Sequence, residues 1–242
     1  MTGYRFGKQA QFGSGNYMTH DDSNVGVVVG TSNTLSGNRS MLVGNNNISI
    51  DAGVDNLVVG HSNHVSGSSS DNILAGRFHT SNMVAAAAFG DGCNVVYPAS
   101  LNLGNYLSSK GVGSAQMTAV VVKCSTSDAT PTELKTRGDG RITIIAGEAW
   151  TFRADVVAKE KAGGAEMAFY TVSGILNRTG ATTSMPAAAT VTAVHESTGG
   201  MDLTATADNT NNSLKLEWTG KAGTNMEVVA TVYLTKVEVT TS

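Results

Sequence analysis

Histidine is the residue type here best suited to chemistry, and its five copies are His20, His61, His64, His79 and His195. His61 and His64 sit in one polar turn, and His79 falls one repeat further on. Threefold assembly could gather such histidines on an axis, but no Cys, Asp or Glu stands at ligand spacing beside them. They read as solvated turn histidines, and no metal site and no cofactor is assigned. Gly90-Asp91-Gly92 and Gly138-Asp139-Gly140 lack the ladder of acids that oxygen coordination of calcium needs, so both read as turns. Arg137-Gly138-Asp139 is an integrin-type tripeptide in a glycine-rich hairpin, where it arises readily by chance. No Gly-x-Ser-x-Gly, no phosphate-binding loop and no Ser or Cys with a plausible partner occurs. Asp and Glu are sparse and scattered, although pairing of distant carboxylates is invisible to sequence. No catalytic residue is assigned, and the chain reads as a non-enzyme.

The elements that would position any such residue are dominated by one repeat. Val27-Val28-Val29-Gly30 is followed by Met41-Leu42-Val43-Gly44, Leu57-Val58-Val59-Gly60 and Ile73-Leu74-Ala75-Gly76. Weaker copies end at Gly90 and Gly104, so the glycines recur every 14 or 16 residues. A fixed glycine at such a period marks a stacked solenoid, whose single repeats cannot bury their own apolar faces. Asn recurs three residues after the glycine at Asn33, Asn47 and Asn63, which predicts a turn and a hydrogen-bonded ladder. Phe12-Gly13-Ser14-Gly15-Asn16 aligns as a degenerate first coil, after an arm holding Tyr4, Arg5, Phe6 and Lys8.

Neighbouring side chains of a strand point to opposite faces, so three apolar residues in a row predict burial on both faces. The pair flanking each central residue (Val27 and Val29 in the first copy) is assigned to the coil's own core. The central row Val28, Leu42, Val58 and Leu74 is assigned to the outside, where a partner must cover it. Ala88 and Asn102 in that row indicate a change of packing near residue 90. Leu35, Ile48, Ile50, Val65 and Val95 mark the second strand of each coil. Cyclic self-association, most simply of three chains, is the economical cover.

Composition agrees with an all-β chain: 242 residues, 40% apolar, 14% charged, with 28 glycines and 3 prolines. The net charge of −3 and the lack of a basic patch exclude the electrostatic footprint of a nucleic-acid binder. Cys93 and Cys124 fall in different domains and read as free thiols. Met1-Thr2-Gly3-Tyr4-Arg5-Phe6 has no apolar h-region, and no apolar run approaches ~18 residues. Synthesis in the host cytoplasm without a signal peptide, and no membrane insertion, are therefore expected.

After a small-residue linker at 108–115 the period changes. Strands are predicted at 117–122, 141–146, 149–157, 166–176, 189–195, 201–207, 214–218 and 226–239, separated by turn signals such as Gly163-Gly164 and Asp208-Asn209. Trp150, Phe152, Ala154 and Val156 alternate with Thr151, Arg153 and Asp155, which places Trp150 and Trp218 in a core rather than on a sugar platform. Regular strands without a helix pattern predict a β-sandwich with jelly-roll character.

The Val-Val-Gly-x-x-Asn coils of residues 23–107 resemble the head repeats of trimeric autotransporter adhesins of the YadA type and similar repeats in bacteriophage tail and spike proteins. That resemblance implies a left-handed trimeric β-roll. Ser127-Asp128-Ala129-Thr130-Pro131, Ala149 to Ala158, and Asp208-Asn209-Thr210 with Trp218-Thr219-Gly220 resemble a C-terminal module of phage tail and head-decoration proteins. The resulting expectation is an all-β chain with an arm and degenerate coil (1–22), a β-roll stalk (23–107), a linker (108–115) and a β-sandwich knob (116–242). Its expected role is a homotrimeric virion-surface protein that decorates and stabilises a viral capsid through capsid protein. The alternative is a short tail spike or fibre, joined to a tail protein and meeting a host-surface receptor. A bacterial adhesin ranks third, for want of a signal peptide and membrane anchor.

Overall fold

The structure, a computed structural model, describes residues 9–18, 26–36, 39–50, 55–67, 70–104 and 115–238. The arm at residues 1–8, most of the linker and His20 lie outside them. The chain divides into two compact units, Met1–Ser114 and Ala115–Ser242.

The first unit is a β-solenoid with two strands per coil. The first strands are Gln9–Phe12, Gly26–Thr31, Ser40–Asn45, Leu57–His61, Ile73–Arg77, Ala87–Asp91 and Ser100–Gly104, stacked parallel and in register. Short second strands, from Tyr17–Met18 to Asn94–Val95, form an opposed parallel sheet. The Gly13 coil is thus a true member of the stack, since Phe12 pairs with Val29.

The core between the two sheets reverses the expected facing of the strands. Val28, Leu42 and Val58 are fully buried and Leu74 is nearly so, together with Leu35, Val65, Ala88 and Val95. The flanking residues, Val27 and Val29 and their equivalents, face outward and are half-buried or exposed. The physical reason is thickness. Two short strands closing a 14-to-16-residue coil leave room for about one large side chain from each, and the position four before the glycine shares that interior. It is occupied by Gly26, Ser40, Asn56, Asn72, Ala86 and Ser100, all small or polar.

Volumes are complementary inside three coils, where Leu42 is matched with Ser49, Leu74 with Ser81, and Ala88 with Val95, while Val28 with Leu35 and Val58 with Val65 share the interior more evenly. Ile48 and Ile50 consequently point outward, leaving Ser49 as the inward residue of that strand. Asn102 is buried too, donating to Ala87 O at 3.2 Å and Ser100 Oγ at 2.9 Å. Its arrival marks a change in the core, rather than in an outer row.

The second unit contains two antiparallel sheets. The larger runs in the order Ala115–Thr126, Met226–Glu238, Glu148–Glu160, Met167–Thr179, with Thr182–Ser184 and Thr190–Glu196 both pairing with Met167–Thr179. In the smaller, Ser213–Thr219 pairs with Thr132–Glu133, Ile142–Thr143 and Asp202–Asp208. Thr132–Glu133 and Thr182–Ser184 are short strands without a periodic signal. Trp150 and Trp218 are buried, and Trp218 meets Tyr170 edge-on at 5.4 Å. Glu148 and Lys236 form a buried pair at 3.3 Å, and Glu148 also accepts from Trp150 Nε1 and Ile145 N.

Candidate functional site

The solenoid's outward face is built by its glycine turns. Gly30, Gly44, Gly60 and Gly76 adopt φ of +117° to +138°, a region L side chains rarely enter. Space is a second constraint. A Cβ on Gly44 would lie 1.9 Å from Gly60 O, and each neighbour in the column is equally tight.

Next to the glycines runs the expected asparagine ladder. Asn33, Asn47 and Asn63 are fully buried. Asn47 Nδ2 donates to Asn33 Oδ1 (3.1 Å) and to Gly60 O (2.9 Å), while its Oδ1 accepts from Asn63 N and Nδ2. Asn16 begins the ladder by donating to Gly30 O at 2.8 Å. A second ladder had no counterpart in the sequence reading: Asn56 N bonds to Ser40 Oγ, Asn72 to Asn56 Oδ1, and Ala86 N to Asn72 Oδ1. Its signal was available as Ser40, Asn56 and Asn72, polar residues four before three successive glycines. Asn47→Ala should lower the solenoid's stability by about 3 kcal/mol, because it takes the acceptor from the buried Asn63 N–H and a donor from both Asn33 Oδ1 and Gly60 O. Urea unfolding followed through the first unit checks this.

His79 and Cys93 continue the asparagine ladder at its far end. His79 is buried, its backbone N–H bonds to Asn63 Oδ1, and its Nδ1 accepts from Cys93 N at 3.1 Å. With Nδ1 accepting, the proton belongs on Nε2, which faces Ala75 O at 3.3 Å. Burial holds the His79 pKa below 6.5, against the opposing influence of the Ala75 carbonyl and Asp91. Between 6.5 and that lowered value the unfolded chain binds a proton that the fold does not. Stability from this residue is therefore complete above 6.5 and falls as pH drops toward the folded value. Thermal melts from pH 7.5 to 5 should show the decline in the wild type, and His79→Asn should remove that component.

The remaining chemistry-bearing residues stay apart. His61 is exposed and meets Phe78 edge-on at 5.7 Å, His64 is exposed on a second strand, and Asp91 pairs with Arg77 at 2.8 Å. His195 is exposed in the other unit. Arg137, Gly138 and Asp139 form an exposed turn with positive φ at the last two. Among the described residues no three of His, Cys, Asp and Glu converge as a metal-ligand set. Cys93 is buried and in no disulfide, its Sγ facing Phe89 O at 3.5 Å, and burial pushes the half-buried Cys124 up to about 11. In the second unit Glu166 accepts from Lys221, Ser197 and Thr198, which lower its pKa to about 2. Among the described residues no helix is long and apolar enough to cross a membrane.

These supports present two outward columns. One runs Ala10, Val27, Met41, Leu57, Ile73, Ala87, Leu101; the other runs Phe12, Val29, Val43, Val59, Ala75, Phe89, Leu103. All fourteen positions are apolar, and Met41, Val59, Ile73, Phe89, Leu101 and Leu103 are each 38–43% exposed. At ~4.8 Å per strand the face is roughly 29 Å long. A contiguous apolar surface of this extent marks an interaction site.

Its structural neighbours are phage tailspike proteins. The tailspike gp49 of Acinetobacter baumannii bacteriophage Fri1, a capsular polysaccharide depolymerase, is 10% identical with a TM-score of 0.34, over 86% of this chain and 39% of its own. The Acinetobacter baumannii phage AM24 tailspike is 9% identical with a TM-score of 0.28, over 97% and 57%. The tailspike of Acinetobacter phage vB_ApiP_P1 is 10% identical with a TM-score of 0.22, over 88% and 51%. The chain thus spans between two-fifths and three-fifths of the neighbours' lengths. No protein-family profile matches the sequence, and no curated protein does.

One expectation is corrected by these neighbours. The chain was read as a non-enzyme, yet the neighbour from phage Fri1 is an enzyme. Glycosidic chemistry needs only a pair of carboxylates set across a bond, which distant parts of a chain can supply. Lack of a compact catalytic motif therefore does not exclude catalysis.

Proposed function

We propose that this chain is a bacteriophage virion-surface spike protein, a homotrimer assembled through the two apolar columns of its solenoid. The observation that carries this reading is the columns themselves, fourteen positions without a charge. An apolar surface with a ~4.8 Å repeat is matched along its length by another surface of the same period. A second and third copy of this solenoid have that period by construction. Three is the number implied by the resemblance to YadA-type and phage tail repeats. In this reading the solenoid is the stalk, and the second unit is the β-sandwich knob.

Two placements on the particle use the same spike. As a capsid decoration it would cement neighbouring shell subunits, and particles lacking it would lose infectivity sooner on heating or osmotic shock. As a tail spike, the placement its structural neighbours share, it would carry the knob to the host surface. Purified protein would then bind host cells and compete with infection. Gold-labelled antibody against the protein, imaged on intact particles, separates the two: label over the head supports decoration, and label confined to the tail supports the spike. Unlabelled particles would reject the virion-surface reading.

A further inference from the structure

The two apolar columns of the solenoid are bordered by other columns, and the two borders differ. Each first strand is entered through a corner residue five places before its glycine. These corners are Arg39, Asp55, Asp71, Ala85 and Ala99, all at φ of +51° to +65°. Each strand is left one place after the glycine, at Thr31, Asn45, His61, Arg77 and Asp91, which the register stacks in one column. Within the chain Arg39 holds Asp55 at 2.6 Å, and Arg77 holds Asp91 at 2.8 Å. Asp71 is different. It is exposed, accepts from Ser70 Oγ at 3.1 Å, and has no ion pair among the described residues.

A rotation about an axis parallel to the stack leaves every coil at its own height. In a closed ring of copies the entering corner of one therefore meets the leaving corner of the next at the same level. From corner to corner a strand spans roughly 20 Å at ~3.3 Å per residue. Three such strands set as a triangle lie about 6 Å from the axis, near half of the ~10 Å that separates packed sheets. The apolar columns then fill the centre while the corners touch. Level by level, Asp71 stands opposite Arg77, Asp55 opposite His61, Arg39 opposite Asn45 and Ala85 opposite Asp91. No like charges meet. A slip of one coil in either direction loses the Asp71 and Arg77 match, and in one direction it sets Asp71 against Asp91. The apolar columns repeat at every coil and distinguish these registers poorly, whereas charge distinguishes them well.

We infer that Arg77 of each chain is the partner of Asp71 on the neighbouring copy, and that this pair fixes the copies in register. A guanidinium has five donors, enough to serve Asp91 of its own chain and Asp71 of the next. The inference deepens the homotrimer reading and rests on it for the number of copies.

Asp71→Cys combined with Arg77→Cys in the full-length chain tests the pairing. The two positions flank one strand, far beyond the ~7 Å between Cα atoms that a disulfide spans, so they can bond only between chains. Mild oxidation should convert most of this variant to a covalent trimer on a non-reducing gel. Asp55→Cys with Arg77→Cys, one coil out of step, should stay largely uncross-linked. Asp71→Asn, an exposed change that keeps the side chain's shape, is read by dissociation. Its concentration at half-dissociation should exceed that of the wild type several-fold at low salt and approach it in molar salt, where screening acts within ~3 Å. A trimer by native mass that forms no cross-link through Asp71→Cys and Arg77→Cys, or that cross-links through the out-of-step pair instead, would overturn the inference and leave the homotrimer standing. So would Asp71→Asn dissociating like the wild type at both salt concentrations. A wild type that is monomeric at micromolar concentration would reject the homotrimer and the pairing together.

Discussion

Gly44→Ala is expected to abolish cooperative folding of the solenoid. Two effects add at one atom. The backbone there has φ +121°, which costs an L residue about 1–3 kcal/mol. The new methyl would also sit 1.9 Å from Gly60 O, a distance no Cβ tolerates. Relief requires the coils to move apart, and the Gly60 carbonyl is the acceptor for Asn47 Nδ2, so the ladder breaks with the turn. A loss of at least about 4–5 kcal/mol follows, the range in which single changes unfold a domain. Gly67→Ala is the control: φ is +69°, but nothing lies within 4 Å of the added methyl. It should cost only about 1–2 kcal/mol. Circular dichroism melts of the two variants test the contrast, and equal losses would show that crowding in the column is not what fixes the glycine.

Adjacent valines should give opposite outcomes. Val58 is fully buried in the coil, so Val58→Asp places a carboxylate in an apolar core and unfolds the solenoid. Val59 faces outward at 38% exposure, so Val59→Asp leaves the coil folded and charges the assembly face. Three such carboxylates repeat around the proposed trimer. The concentration at half-dissociation should rise at least about a hundredfold, equivalent for a three-chain equilibrium to about 5.5 kcal/mol per trimer. Far-ultraviolet circular dichroism separates the unfolded variant from the dissociated one.

The solenoid was legible because its two determinants are written as residue identities. Glycine at a fixed period and Asn33, Asn47 and Asn63 three places later state the turn almost in full. Which side of the strand is inside was not legible from the apolar residues, because Val27, Val28 and Val29 are alike in hydrophobicity. The answer lay one position further out, in Gly26, Ser40 and Asn56, which by alternation share the interior with the central residue. A thin coil cannot hold two large side chains on one strand, and the small residue at that position records it.

His79 and Cys93 show a different limit. Both stand three residues after a repeat glycine, as the ladder asparagines do, but neither resembles asparagine, and their hydrogen bonds to Asn63 and to each other show that they continue the ladder. In the C-terminal unit the long strands were legible by alternation, from Trp150 to Val156 and from Leu214 to Trp218. The neighbouring of Val157 and Val229 was hidden, because they come from separate strands and meet only through pairing. The same holds for any site assembled from distant carboxylates, so the lack of a local motif was no ground for reading the chain as a non-enzyme.

The claim that the outward columns are an assembly surface is tested most directly by native mass as a function of concentration, for the full-length wild type and Val59→Asp together. The wild type should hold at three times 24.9 kDa into the nanomolar range, with Val59→Asp falling to a folded 24.9 kDa chain at far higher concentration. A wild type that stays at 24.9 kDa at micromolar concentration, or a Val59→Asp protein that dissociates at the same concentration as the wild type, would contradict it.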